Sequence, residues 1–205
     1  PNGLNINHEY GSTSLNNIIQ RVKLEKADIG IALDGDADRI IIIDELGNII
    51  NGDALLAIIA SEWQERGLLL NDGVVATSMS NHGLEEYLVN RNINLHRTDV
   101  GDRYVVEFMK EHGYNIGGEQ SGHIIIRDYA TTGDGLLVAL EVIQALNKKI
   151  KASNFFHVFD KIPQVLENIK IQNKDILKKI SVKRSIKNAN NLINGKGRIH
   201  VKKLR

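Results

Sequence analysis

Short apolar runs that alternate with helical stretches predict an α/β fold, with a mainly parallel or mixed sheet joined by crossover helices. Two loops reinforce that reading. The first, Asp34-Gly35-Asp36-Ala37-Asp38-Arg39, sits between the runs Ile29–Leu33 and Ile40–Ile43. Ligands in such folds gather at the carboxyl ends of strands, where Asp34 falls. The second, Gly117-Gly118-Glu119-Gln120-Ser121-Gly122-His123, leads into the run Ile124–Ile126.

Taken in order, Leu15–Leu24 has a helical pattern, with Ser12 or Thr13 as the expected N-cap. Lys26-Ala27-Asp28 leads into the strand Ile29–Leu33, and Ile40–Ile43 is the next strand, closed by a turn at Glu45–Asn48. A new unit is predicted from Ile49, with Asp53 capping a helix over Ala54–Gln64 that buries Leu55, Leu56, Ile58, Ile59 and Trp63. Gly73–Thr77 and Ile93–His96 read as strands; Leu84–Val89 and Tyr104–His112 read as helices. Thr131-Thr132-Gly133-Asp134-Gly135 opens an apolar helix over Leu136–Leu146. Pro163 marks a linker. After it come a strand over Gln164–Ile171, a short helix or strand over Ile176–Ile180, a helix over Ser185–Ile193 and a strand over Gly197–Val201.

With 205 residues, 42% of them hydrophobic, the chain can bury one real core or two small ones. Lys and Arg number 26 against 25 Asp and Glu, which argues against a nucleic-acid partner. Basic residues dominate from Lys161 to Arg205. Such a tail can serve RNA, an acidic membrane or plain solvation, and the interleaved Ile and Val favour the last. There is no Cys, so disulfides and thiolate chemistry are excluded. No apolar run approaches the ~20 residues of a membrane span. The N-terminus has neither an initiating Met nor the regions of a signal peptide, which suggests a fragment; a cytoplasmic location is expected.

Three aspartates at alternate positions between two strands can turn toward one point, and their mutual repulsion calls for a cation. An all-oxygen donor set suits a hard ion such as Mg²⁺ or Mn²⁺. Arg39 beside them can bind a phosphate lying over the metal. A calcium loop is the competing pattern, since Asp34, Asp36, Asp38 and Glu45 fall at its first, third, fifth and twelfth positions. Arg39 stands where that loop needs glycine, however, and four isoleucines follow it. A solvated acidic turn is the plainer alternative.

In the second loop, glycines on both sides let the backbone curl and present Glu119, Ser121 and His123 together. A carboxylate, a hydroxyl and an imidazole suit the vicinal hydroxyls of a sugar. An ordinary tight connection between strands is the alternative. Ser78–Asn81, Gly101–Arg103 and Thr131–Gly135 open helices whose N-termini favour anions; Arg103 is the best phosphate ligand among them.

These motifs together resemble the α-D-phosphohexomutase family, in particular its bacterial phosphoglucosamine mutase branch. Residues 34–39 match the family's metal loop and residues 118–123 its sugar loop; Gln120 stands where related phosphomannomutase/phosphoglucomutase sequences often carry Met. Pro1–Asn7, Met79–Asn81, Val100–Tyr104 and Thr131–Gly135 fit as well. The resemblance implies mixed-sheet phosphohexomutase domains, one complete and two partial: the end of domain two (1–48), domain three (49–160) and a linker with the start of domain four (161–205). It implies Mg²⁺ held by Asp34, Asp36 and Asp38, with Arg39 offsetting charge on the transferring phosphoryl group. Glu119, Ser121, His123 and Arg103 would bind the substrate, a hexosamine phosphate. It further implies interconversion of glucosamine 6-phosphate and glucosamine 1-phosphate through an enzyme phosphoserine, on the route to UDP-N-acetylglucosamine and peptidoglycan.

The family's serine loop, Ala-Ser-His-Asn-Pro, and its phosphate loop, Arg-x-Ser-Gly-Thr-Glu-Pro, do not occur in these 205 residues. An enzyme piece that needs missing N- and C-terminal segments, and is inactive alone, is therefore expected. The alternatives are a non-catalytic remnant of a truncated gene and a phosphomannomutase/phosphoglucomutase relative.

Overall fold

In the computed structural model, residues 3–146, 150–165, 167, 169–170, 175–193, 197 and 199–201 are described. They form two units, residues 1–162 and 163–205. The first opens with a helix, α1 (Asn16–Glu25), followed by three strands: β1 (Ile29–Leu33), β2 (Ile40–Asp44) and β3 (Ile49–Ile50). All three pair antiparallel in the order β1-β2-β3. The register sets Leu33 opposite Ile40, so the acidic loop is the connection of a hairpin. The neighbouring residues Ile49 and Ile50 pair with Ile43 and Ile42 and belong to this sheet.

The second sheet follows a long helix, α2 (Gly52–Glu65). Its strands are β4 (Gly73–Thr77), β5 (Asn94–Thr98), β6 (Ile116–Gly118) and β7 (Ile124–Ile126), in the order β5-β4-β6-β7. β5, β4 and β6 run parallel and β7 antiparallel, so the sheet is mixed, as the alternation of elements predicts. Helices α3 (His82–Val89) and α4 (Asp102–His112) are the crossovers, and α5 (Gly135–Ala145) and α6 (Ala152–Phe156) complete the unit.

Period-two alternation decides which layer each strand residue joins. Val74 and Ala76 enter the main core with Leu55, Leu56, Ile59 and Trp63 of α2, whereas Val75 turns to Val105 and Met109 of α4. The sheet is thus covered on both faces, which is why β4 reads as an unbroken apolar run. The four isoleucines of β2 divide in the same way. Ile41 and Ile43 pack with Val22 of α1, and Ile40 and Ile42 enter the main core.

Several helix starts differ from expectation. Leu15 occupies the N-cap position of α1 without a side-chain bond; Ser12 lies three residues earlier, where its backbone N–H donates to the Leu33 carbonyl. Asn51, and not Asp53, caps α2 by accepting from the Ala54 N–H. Asn81 caps α3 and Asp134 caps α5. In the second unit, Ile176–Lys178 is a 3₁₀ turn and the helix α7 runs from Ile180 to Ile193, one turn and more before the expected Ser185. The described residues of 164–171 and 197–201 are not in strands; Ile199 is instead clamped by Asn190, through its N–H and its carbonyl. Among the described residues no helix is long and apolar enough to cross a membrane.

Glu45, in the β2–β3 turn, holds α6 by accepting from the Ser153 hydroxyl at 2.6 Å and the Ser153 N–H at 2.9 Å. The Ser153 hydroxyl above all lowers the Glu45 pKa, with its N–H and the charge of Lys151 assisting against partial desolvation. A carboxyl that is more acidic when folded contributes stability that is complete above its ordinary value of 4.5 and is lost as pH falls through the lower folded value. Glu45→Gln is therefore expected to narrow the stability gap between pH 6 and pH 3 relative to wild type, as read by urea unfolding across that range.

Candidate active site

The acidic loop is shaped by its backbone before any ion is considered. Ala37 adopts a left-handed φ of 61°, rare for a residue with a side chain, at the point between Asp36 and Asp38. The Asp34 carbonyl accepts from the Ala37 N–H, and Asp34 Oδ1 accepts from the Arg39 N–H at 3.1 Å. The result is a tight loop whose three carboxylates offer oxygens within 4.8 Å of one another.

Such crowding opposes ionisation. The Asp38 carboxyl is raised above its ordinary value, first by burial and then by contact with Asp34 and the charges of Asp34 and Asp36, with His123 pulling the other way. Asp38 Oδ1 is buried and has no hydrogen-bond partner. A buried carboxylate oxygen left without a donor is costly, and a cation is the partner the site calls for. The all-oxygen donor set fits Mg²⁺. Arg39 Nε lies 3.8 Å from Asp34 and 3.9 Å from Asp38, with its side chain 45% exposed, so it is anchored at the cluster yet open to an anion.

The second loop is closed on itself. Glu119 N–H donates to the His123 carbonyl, and Gly122 N–H donates to the Glu119 carbonyl, with Gly122 at φ 95°. Glu119 Oε1 accepts from the Gly101 N–H at 3.1 Å, and Ser121 Oγ donates to Glu119 Oε2 at 3.4 Å. Glu119 and Ser121 thus stand side by side, as the loop's glycines predict. Arg103 lies on the exposed first turn of α4, paired with Glu107 at 2.7 Å. Its tie to this loop runs through Gly101.

His123 departs from the expected substrate-facing position. Its side chain is 3% exposed, Nδ1 lies 3.0 Å from Asp38 Oδ2, and Nε2 accepts from the Gly133 N–H at 3.2 Å. Both ring nitrogens are committed inside the protein. The imidazole therefore joins the acidic loop to the glycine-rich loop, and the backbone follows: Arg39 and His123 form an antiparallel bridge, and Ile40 N–H donates to the Gly122 carbonyl. The Thr131–Gly135 loop closes the back of this junction, where Gly135 N–H donates to the Ala37 carbonyl at 2.8 Å.

Against this geometry, known proteins are informative. Domain III of the phosphoglucomutase/phosphomannomutase family, an alpha/beta/alpha domain, matches residues 51–161, and domain II of the same family matches residues 2–47. The chain belongs to this phosphohexomutase family. Phosphoglucosamine mutase of Pelagibacter ubique is 56% identical over 202 residues, and that of Parvibaculum lavamentivorans 50% identical over 204. The matches cover 98% and 99% of this chain but 45% and 46% of those relatives, so the chain spans about half their length. Among solved structures, Aspergillus fumigatus N-acetylphosphoglucosamine mutase in complex with GlcNAc-6P and magnesium has the same fold. Its TM-score is 0.67 at 20% identity, over 94% of this chain and 46% of that one.

Sequence reasoning passed over one part of this junction. Asp53 is fully buried, and its Oδ2 accepts from the Asn81 N–H and from Gln120 Nε2, each at 2.9 Å. Burial raises its pKa, while the Asn81 amide, the Ser80 hydroxyl, Gln120 and the charge of Arg97 oppose the rise. Gln120, between Glu119 and Ser121, thus points inward as a tether. The signal available was Asp53 itself, a carboxylate two residues past the Asn51 cap. Asp53→Ala removes the buried acceptor shared by the Asn81 N–H and Gln120 Nε2 and should cost on the order of 3 kcal/mol in urea unfolding. Asp53→Asn keeps one acceptor oxygen and should cost clearly less.

Proposed function

We propose that this chain supplies the metal and sugar loops of a phosphoglucosamine mutase, an intramolecular phosphotransferase that interconverts glucosamine 6-phosphate and glucosamine 1-phosphate. The observation that carries this reading is the Asp38–His123 contact, which joins the two loops into one site. Identity of 50–56% to two phosphoglucosamine mutases supports the choice of substrate. The proposed organisation follows the division 1–48, 49–160 and 161–205, with the first two parts each giving one loop.

Asp34, Asp36 and Asp38 would hold Mg²⁺, which when bound supplies positive charge to offset that of the phosphoryl group in transfer. Arg39 faces the same group with a guanidinium, whose fixed fork suits phosphate oxygens. Glu119 accepts from, and Ser121 donates to, sugar hydroxyls that stay similarly placed when the bisphosphorylated intermediate reorients. Arg103 can exchange its exposed Glu107 partner for a substrate phosphate, at little cost for a surface pair. The serine that carries the phosphoryl group is proposed to come from sequence other than residues 1–205, as does the main phosphate clamp.

Residues 1–205 mixed with glucosamine 6-phosphate, glucose 1,6-bisphosphate and Mg²⁺ are expected to give no sustained glucosamine 1-phosphate, as followed by a coupled assay. Steady turnover would overturn the division of labour. Asp36→Asn should weaken Mg²⁺ binding by at least about tenfold in calorimetric titration, since a direct ligand should matter no less than an outer-shell partner. Equal affinity would remove the metal assignment.

A further inference from the structure

We infer that His123 is a positioning residue for the metal ligand Asp38: with Nε2 accepting from Gly133, it donates from Nδ1 to one Asp38 oxygen and thereby fixes which carboxylate oxygen meets the metal. The inference rests on the proposed metal site and adds to it a residue outside the ligand set.

The geometry fixes the tautomer. The Gly133 N–H can only donate, and it points at Nε2 from 3.2 Å, so Nε2 must keep its lone pair. The ring proton of a neutral imidazole then resides on Nδ1, 3.0 Å from Asp38 Oδ2. Gly133 can be no other residue at this distance, because a Cβ there would lie 2.7 Å from His123 Cε1 and 2.6 Å from the Asp38 carbonyl oxygen. The ring is buried at 3% exposure, so water does not compete for either nitrogen.

With Oδ2 taken, Asp38 has Oδ1 left, and that atom is the buried one without a hydrogen-bond partner. One oxygen is thereby bound from behind, and the other, 3.9 Å from Arg39 Nε, is the one left to meet the ion. A carboxylate with both oxygens free could rotate about its terminal torsion, which is soft; the Nδ1–H bond removes that freedom before the ion arrives. Outer-shell partners of this kind orient metal ligands, and their loss typically costs 10–100-fold in metal affinity. Because His123 is also the last residue of the sugar-binding loop, the same ring ties the position of that loop to the metal site.

Two substitutions separate this role from simple packing. In His123→Asn the side-chain amide nitrogen can take the place of Nδ1 and still donate to Asp38. In His123→Gln the amide reaches the place of Nε2, where it still accepts from Gly133 but gives Asp38 nothing. Mn²⁺ alone is the probe, titrated into residues 1–205 and read by the loss of the free-ion EPR signal, with Asp34→Asn as the control for the site. We expect His123→Gln to bind Mn²⁺ about 10–100-fold more weakly than wild type and His123→Asn to stay within about threefold. Equal affinity of the Gln variant and wild type, or equal weakening in both variants, would overturn the positioning role. Wild type that binds no Mn²⁺ in a manner sensitive to Asp34→Asn would overturn the metal site itself, a separate outcome. A measurement on unsubstituted protein stands apart from any folding defect: ¹⁵N side-chain NMR should show His123 protonated at Nδ1, and protonation at Nε2 would sink the inference.

Discussion

The site depends on two places where backbones touch with no room for a side chain. At Gly122 a Cβ would stand 2.0 Å from the Ile40 carbonyl oxygen, and at Gly52 it would stand 2.0 Å from that of Glu119. Both are far inside van der Waals contact, so glycine is required on steric grounds, and at Gly122 also by its left-handed φ. These approaches let Ile40 N–H reach the Gly122 carbonyl and Gly52 N–H reach the Gln120 carbonyl. The acidic loop is thereby pressed against one end of the glycine-rich loop and the start of α2 against the other. Glu119 and Ser121 are left between two fixed points.

Rigid backbone alone would not hold the carboxylates, which repel one another. The protein meets that cost with neighbours that have little freedom of their own. Arg39 lies along Asp34 and Asp38, His123 sits behind Asp38, and the Arg39 N–H donates to Asp34 Oδ1. Asp53 follows the same logic one layer deeper. It is a buried charge retained because it accepts from a loop amide and from Gln120 together, with Arg97 near enough to offset it. A hydrophobic residue there would remove the desolvation cost but also the acceptor that both donors share.

Much of this was legible in the sequence. The fold class followed from the alternation of apolar runs and helical patterns, and β2 and β4 lie where their isoleucines and valines put them. The acidic triad was legible because three carboxylates in five residues between two strands have few other uses. Helix starts were read less well. Ser12, Asp53 and Leu15 show why: a polar residue near a helix start can be claimed by a strand carbonyl or a distant loop, and propensity holds no information on such partners. The inward turns of His123 and Gln120 were illegible for the same reason, since Gly133 and Asp53, which hold them, are 10 and 67 residues away. The late strands expected after Pro163 failed in their described residues because apolar spacing cannot supply a pairing partner.

The bond between Asp38 and His123 closes a loop of 85 residues. Closing a loop of that size costs entropy that grows only slowly with length, but it is spent before the contact returns anything. The whole of β2, β3, α2, β4, α3, β5, α4 and β6 lies inside that span. The proposed ligands Asp34, Asp36 and Asp38 are close in sequence, but the His123 bond behind Asp38 forms only when these elements are in place. Capture of an ion at the proposed site would in consequence add to folding stability, by mass action on the native state. In such a chain the concentration of divalent ions is a variable of assembly as much as of chemistry.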